Sequence, residues 1–350
     1  MRRTIQIIAI IFVLLACVSA QAAPRVVKSF GKIEYPRVGG FCLSPDETKM
    51  LILYDLYEIK TFAVLYDTGT GKELWRKTHA EISISSGIGA VSWTADSRHV
   101  LFQAGMSIYI LKASDGKVIK RMRMQVKVNR GICFKFSPKG KYVYFIELTN
   151  GKPAFLSRYD TVSGKRIEIP LGFKASLPKR NPRKSLNVRY WDVSPDNKYA
   201  VVVSTVVSTK KSDLLIIDID AKTIKKADKT AGMVCFSPSG DILAFEDDKR
   251  RSTLYVYTKD GILRGEQLLP SKFVEYARMV KVVPYGSSWR ICLTNYYSNI
   301  PSVIVDVSTD LNNSIKLIFK KSIKRRFVVS EDGKYIYVIN KNSIKKIKLD

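Results

Sequence analysis

The chain has 350 residues and a formal net charge of +28 at pH 7, because 59 Lys and Arg outnumber 31 Asp and Glu. Hydrophobic residues make up 46% of the sequence, an ordinary share for a globular protein, which excludes wholesale disorder. The charge indicates attraction to anionic partners and carries no information about the fold. With only two His, the sequence has little material for a His-rich metal site, a His-ligated haem or a Ser-His-Asp triad. We therefore predict no catalytic, metal-binding or cofactor-binding residues.

The first 22 residues have the features of a secretory signal peptide. Arg2 and Arg3 precede an apolar run from Ile5 to Ala16, and Ala20-Gln21-Ala22 supplies the small residues of a cleavage site. Cleavage is predicted after Ala22, which leaves residues 23–350 as one mature domain. The apolar run is too short to cross a bilayer, and no later stretch is long and apolar enough, so no transmembrane span is predicted in the mature chain.

A second interpretation of this segment is a lipoprotein signal. Leu14-Leu15-Ala16-Cys17 is similar to a bacterial lipoprotein box, in which Cys17 would be lipidated and become the mature N-terminus. Leu15 is a weak match at the middle position, so the Ala20-Gln21-Ala22 site is favoured. Both interpretations place the protein in the periplasm or outside the cell, which argues against nucleic acid as a partner despite the basic charge. We expect a monomer.

A short apolar phrase that ends in Ser-Pro-Asp, or in a variant of it, recurs seven times in the remaining chain. The copies are Phe41–Asp46, Val91–Asp96, Phe134–Gly140, Trp191–Asp196, Val234–Gly240, Val280–Gly286 and Phe327–Gly333. Their spacing of roughly 43 to 57 residues is typical of a β-propeller with one blade per repeat. The sequence therefore predicts an all-β, seven-bladed β-propeller.

Each repeat predicts four antiparallel strands, named a to d from the centre of the ring outward. The repeated phrase is strand a, and a turn that begins with Ser-Pro leads into strand b, for example Tyr142–Ile146. Strand c, such as Leu214–Ile217, often ends in Asp, and a Gly-containing turn leads into strand d. The last repeat ends after strand c, whereas Arg25–Lys32 forms a spare strand before the first repeat. We predict that this N-terminal strand completes the last blade and closes the ring.

These phrases carry a family resemblance. The Ser-Pro-Asp-Gly-type turns and the segment Tyr66–Leu74 (YDTGTGKEL) resemble bacterial YVTN-type and WD-repeat-like propellers, and also the blades of quinoprotein dehydrogenases. The resemblance covers nearly all of the mature chain and implies the fold, but it does not imply one activity. The chain departs from true WD repeats because Trp191-Asp192 lies on strand a rather than at the end of strand c. Nothing matches a quinone-binding or haem-binding site, so the resemblance implies no cofactor.

The cysteines and histidines of the mature chain are expected to be structural or solvated. Cys42, Cys133, Cys235 and Cys292 lie in blades one, three, five and six, and we expect buried thiols rather than disulfides because non-adjacent blades are too far apart. The alternative is a redox pair, which requires Cys292 to reach a neighbour. Neither His79 nor His99 has other metal-ligating residues at a suitable spacing.

Two charged residues occupy matching positions on strand a of adjacent blades. Lys135 and Asp192 both stand at the second position of their phrases, so we predict that they form an ion pair in the wall of the central channel. The simplest role of this channel ion pair is to support the packing of the blades.

The positive charge is also predicted to be concentrated on one face of the ring. In a four-stranded blade, the b–c turns and the d–a crossovers lie at one face of the ring, here called the crossover face, and the a–b and c–d turns lie at the other. Basic residues dominate the crossover face, and acidic residues slightly outnumber basic ones at the other. The predicted binding residues are Lys179, Arg180, Arg183, Lys184 and Arg189 before and in the fourth blade, Lys249, Arg250 and Arg251 in the fifth, and Lys324, Arg325 and Arg326 before the seventh. Arg side chains suit planar carboxylate, phosphate or sulfate groups.

The sequence leaves two hypotheses for function. The first is an exported, non-catalytic binding scaffold whose crossover face binds an acidic protein, an anionic polysaccharide or lipid head groups. The alternative is a propeller enzyme, lactonase-like or quinone-dependent dehydrogenase-like, with its site at the mouth of the channel; the sequence supplies no convergent acid–base or metal set for it. The competing explanation of the charge is a solvated surface with no ligand.

Overall fold

Seven antiparallel sheets of four strands each make up the structure, a computed structural model. It describes residues 25–30, 38–54, 62–78, 88–104, 107–123, 134–137, 140–149, 151–174, 188–205, 212–247, 252–269, 277–295, 302–310, 315–321, 327–340 and 343–349. The predicted seven-bladed propeller is confirmed. The predicted signal peptide lies outside these ranges, and within them no helix is long and apolar enough to cross a membrane.

Six blades are formed by four strands that follow one another in the chain, from the channel outward. Blade one is β2 (Val38–Leu43), β3 (Lys49–Tyr54), β4 (Phe62–Asp67) and β5 (Glu73–Thr78); blade two is β6 (Ile88–Trp93), β7 (His99–Ala104), β8 (Ser107–Lys112) and β9 (Val118–Arg123). Blade three is β10 (Phe134–Phe136), β11 (Tyr142–Glu147), β12 (Pro153–Asp160) and β13 (Arg166–Lys174); blade four is β14 (Val188–Val193), β15 (Tyr199–Thr205), β16 (Ser212–Asp218) and β17 (Thr223–Lys226). Blade five is β18 (Met233–Phe236), β19 (Ile242–Asp247), β20 (Ser252–Tyr257) and β21 (Leu263–Leu269); blade six is β22 (Ala277–Tyr285), β23 (Ser288–Asn295), β24 (Ser302–Ser308) and β25 (Ile315–Lys321).

The seventh blade joins the two ends of the chain. Its inner strands are β26 (Phe327–Val329), β27 (Tyr335–Asn340) and β28 (Ser343–Lys348), and its outermost strand is β1 (Arg25–Phe30). β1 runs antiparallel to β28, with Arg25 opposite Lys348 and Phe30 opposite Ile344. The predicted closure by the N-terminal strand is therefore confirmed.

The second strand of each blade is buried on both faces because a neighbouring blade packs on each side. In β3, Leu51 and Leu53 pack with Trp93 of blade two, whereas Ile52 packs with Tyr337 of blade seven. Both sets of side chains are fully or almost fully buried. This burial explains why these strands read as continuous apolar runs rather than as an alternation of apolar and polar residues.

The repeated Ser-x-Asp pattern builds the a–b turns. The Ser44 hydroxyl donates to Asp46 Oδ1 at 2.6 Å and accepts the Lys49 amide at 2.9 Å, while Asp46 Oδ1 also accepts the Thr48 amide at 3.1 Å. The Ser194–Asp196, Ser330–Asp332 and Thr94–Asp96 pairs make the same contacts. Side-chain oxygens that satisfy the backbone of a tight turn account for the recurrence of this pattern without any role in binding.

Candidate functional site: the channel wall

The channel wall is formed by the first strand of each blade. In this ring, β2 contacts β6 and β26, and β14 contacts β18. Each of these strands is the inner edge of its sheet, so its free backbone groups face either the channel or the next blade. Charged side chains on these strands are therefore placed to bind backbone groups of a neighbour or a ligand in the channel.

Asp192 connects three consecutive blades. Its Oδ1 lies 2.8 Å from Lys135 Nζ of blade three, and its Oδ2 accepts the Phe236 amide of blade five at 2.9 Å. The Lys135 ammonium also lies 5.6 Å from the centroid of the Trp191 ring. The structure thus brings the two residues of the proposed channel ion pair together, and it adds a backbone partner that the sequence pattern did not reveal.

Lys281 makes the corresponding contact between blades six and seven. Its Nζ donates to the Val329 carbonyl at 3.0 Å and lies 3.3 Å from Glu331 Oε1. Lys281 is also the cross-strand neighbour of Cys292, so both side chains leave the sheet on the same face, toward blade seven. The Lys281 ammonium group and the Cys292 thiol therefore lie on the same side of the sheet at this junction.

A cavity of about 230 Å³ lies at this junction, where blades six, seven and one meet. Its lining is mainly apolar, with one ammonium and two thiol side chains: Phe41, Cys42, Leu43, Lys281, Cys292, Phe327, Val328 and Val329. The sequence pattern does not show that these residues lie together, because blades one and six are separated by most of the chain. One sequence feature could have predicted that blades one and seven are neighbours. The N-terminal strand completes blade seven, and blade one follows that strand directly in the chain.

The three described thiols are protonated at neutral pH; Cys235 and Cys292 are buried, and Cys42 is half-buried. Desolvation raises the pKa of the Cys42 thiol to about 12. Burial likewise raises the pKa of Cys292 to about 12, and it raises the pKa of Cys235 further. These three cysteines form no disulfide, and Cys133 lies outside the described residues. Protonated buried thiols are poor nucleophiles and act as small apolar groups.

Most of the predicted basic binding residues lie outside the described ranges. They are Lys179, Arg180, Arg183, Lys184, Lys249, Arg250, Arg251, Lys324, Arg325 and Arg326. Arg189 belongs to β14, and its side chain is outside the described part. The strand ends on either side of these segments are described: β13 ends at Lys174 before β14, β19 ends at Asp247 before β20, and β25 ends at Lys321 before β26. Because β-strands within a blade are antiparallel, all of these ends belong to one face of the ring.

The histidines and the acidic residues give no metal centre in the described ranges. His99 begins β7, where its backbone amide donates to Thr94 Oγ1 at 3.0 Å. His79 lies outside those ranges. No three His, Cys, Asp or Glu side chains among the residues in those ranges are grouped as metal ligands.

Comparison with known proteins supports the fold. No family model matches the chain, and no curated protein matches it. Among solved structures, the Cps50 (Swd1) β-propeller domain of Myceliophteria thermophila matches with a TM-score of 0.57 at 13% identity, covering 93% of this chain and 99% of that one. The Dos1 propeller matches with a TM-score of 0.57 at 11% identity, covering 91% of this chain and 81% of that one. At these identities the likeness shows the β-propeller fold alone.

Proposed function

We propose that the protein is an exported binding scaffold whose crossover face engages a densely anionic partner. The partner is an acidic protein surface, an anionic polysaccharide or a layer of acidic lipid head groups, which share closely spaced anionic groups. The proposal rests on the placement of strand ends: β13, β19 and β25 all end at the face from which the basic segments depart. A rigid ring that presents several basic segments on one side can offer them together to one partner.

The resemblance to YVTN-type propellers belongs to the same proposal. Its support is the repeated Ser-x-Asp turn and the YDTGTGKEL segment, Tyr66–Leu74, in which Asp67 accepts the Thr70 amide at 2.6 Å. These features concern turn geometry, so they are compatible with a scaffold and specify no catalytic group.

The test is a charge reversal on the crossover face. The variant Arg180→Glu, Arg183→Glu, Lys184→Glu is compared with the wild-type mature chain for capture by immobilised poly-L-glutamate, heparin and vesicles that contain phosphatidylglycerol. The three probes distinguish the three partner classes. The proposal expects loss of at least about 90% of the capture by whichever probe binds the wild type, because three attractive charges become repulsive.

The matched control reverses three exposed lysines on the opposite face. Lys72, Lys117 and Lys165 lie in the c–d turns of blades one, two and three. Their replacement by Glu changes the net charge by the same amount and is expected to leave most of the capture intact. Equal losses in the two variants would show that total charge, rather than the crossover face, attracts the probe, and would overturn the proposal.

A further inference from the structure

The cavity between blades six, seven and one combines an apolar lining with one accessible ammonium group. Five of its eight lining residues are Phe, Leu or Val, and the two thiols add surface of similar character. Lys281 is the single charged residue among those that line the cavity, and its side chain is 42% exposed. A molecule that enters from the channel can therefore reach both the ammonium group and the apolar walls.

The contacts of Lys281 leave capacity for a further acceptor. Among the described residues its Nζ donates to the Val329 carbonyl and contacts Glu331 Oε1, whereas an ammonium group has three donors. The carbonyl contributes no charge. The Glu331 side chain is 67% exposed and its contact is long at 3.3 Å, so solvent screens that pair. The ammonium group consequently remains a site for an anionic oxygen at the edge of an apolar cavity.

The two thiols that line the cavity are suited to contact an apolar ligand and are not suited to react with a ligand. Cys292 is buried and Cys42 is half-buried, and the raised pKa values of both thiols keep them protonated at neutral pH. Such groups offer polarizable apolar surface and neither a nucleophile nor a thiolate ligand for a metal ion. The size of the cavity, about 230 Å³, lies below that of pockets for drug-sized molecules and limits the occupant to a small molecule.

We propose that this cavity binds a small apolar carboxylic acid, with its carboxylate on Lys281 and its hydrocarbon part between Phe41, Phe327 and Val328. This site is independent of the crossover face, because its lining residues belong to strands β2, β22, β23 and β26 and not to the b–c turns or the d–a crossovers. A medium-chain fatty acid or an arylalkanoic acid has the required combination of one carboxylate and a compact apolar body.

The first experiment measures octanoate and 1-octanol binding to the mature chain by calorimetry. The two probes share a hydrocarbon chain and differ in charge. We expect octanoate to bind with a Kd below about 1 mM, and Lys281→Met to weaken octanoate binding about tenfold while changing 1-octanol binding less than about twofold. Glu331→Gln is expected to strengthen octanoate binding, because it removes a competing carboxylate from the same ammonium group. The control Lys112→Met changes an exposed lysine of blade two and leaves both affinities unchanged.

A second measurement uses the cysteines of the wild-type chain and needs no variant. Modification by methyl methanethiosulfonate is followed for each cysteine by mass spectrometry, with and without octanoate. Octanoate is expected to slow modification of Cys42 and Cys292 more than that of Cys235, which is buried in blade five away from the cavity. Absence of octanoate binding, equal affinity of Lys281→Met and wild type, or equal protection of all three cysteines would each overturn the proposal.

Discussion

One position in the c–d turns of blades one to four has the left-handed backbone conformation, with a positive φ. Gly71, Gly116 and Gly164 occupy this position in blades one to three with φ of 76°, 70° and 76°, and blade four has Lys222 there with φ of 56°. This left-handed conformation is energetically unfavourable for a residue with a Cβ, whereas glycine adopts it freely. The Lys222 turn therefore retains strain that the other three turns avoid.

Replacing Lys222 by Gly is expected to raise the free energy of unfolding by about 0.5 kcal/mol, since relief of the strain exceeds the extra entropy of glycine in the unfolded chain. Urea denaturation at neutral pH measures the change. The control is Lys165→Gly, at an exposed position just after Gly164 where the structure records no positive φ, and this substitution is expected to lower stability. A loss of stability in Lys222→Gly would contradict the strain argument.

The turn carboxylates make the stability depend on pH. Hydrogen bonds from the Thr70 amide and hydroxyl hold the pKa of Asp67 below its ordinary value, and hydrogen bonds from the Thr94 hydroxyl and Arg98 amide do the same for Asp96. A lowered folded-state pKa means that the contribution is complete above the unfolded-state pKa of about 4 and is lost as the pH falls through the folded-state pKa.

We therefore expect the unfolding free energy to be nearly level from neutral pH to about pH 5 and to fall below about pH 4. Asp67→Asn should lower stability at neutral pH and make the acid-dependent fall smaller, because the variant lacks the titrating group. Urea titrations at a series of pH values test this. An unchanged pH dependence in the variant would show that Asp67 is not one of the groups responsible.

At the scale of elements, an acidic side chain replaces a missing backbone partner. β18 is the inner edge of blade five, and its Phe236 amide is satisfied by Asp192 Oδ2 rather than by another strand. The Lys135 side chain is 41% exposed, so its ion pair with Asp192 is partly screened. Most of the structural value of Asp192 therefore comes from the bond to the backbone.

Asp192→Ala is expected to lower the free energy of unfolding by about 1–2 kcal/mol, because it leaves the Phe236 amide without its acceptor. Lys135→Met should cost less than about 1 kcal/mol, since Asp192 keeps its backbone contact. Thermal and urea denaturation compare the two variants, and poly-L-glutamate capture should be unchanged in both. Equal losses of stability would assign the main role to the ion pair instead.

Blade six contains a buried contact that the repeated turn pattern did not predict. Its repeat lacks the Ser-x-Asp turn, and Arg290 instead binds Asp306 through two bonds of 2.7 Å and the Gly333 carbonyl at 2.6 Å. The Arg290 side chain is 1% exposed. The hydrogen bonds of a tight turn join residues that are close in the sequence, so a local sequence pattern can predict them. Arg290 instead joins blades six and seven through residues that are far apart in the chain. The repeat pattern therefore predicted the strands but not this contact.

At the scale of the whole molecule, closure of the ring determines which sites exist. The pairing of β1 with β28 completes blade seven, and the cavity then forms from blades six, seven and one. The sequence predicted the closure because the last repeat lacked a strand. It did not predict the cavity, because Cys42 and Lys281 meet only when the ring is complete. The described strand ends at Lys174, Asp247 and Lys321 belong to one face of the ring, and strand order alone predicts this.

The most direct test of the proposed scaffold function is the salt dependence of poly-L-glutamate binding by the wild type and by the Arg180→Glu, Arg183→Glu, Lys184→Glu variant. If the crossover face binds anionic partners, the wild-type Kd should rise at least about tenfold between about 50 and 200 mM NaCl, because salt screens exposed charges. The variant should bind weakly at all salt concentrations. A wild-type affinity that is insensitive to salt, or a variant that binds as tightly as the wild type, would contradict the proposed function.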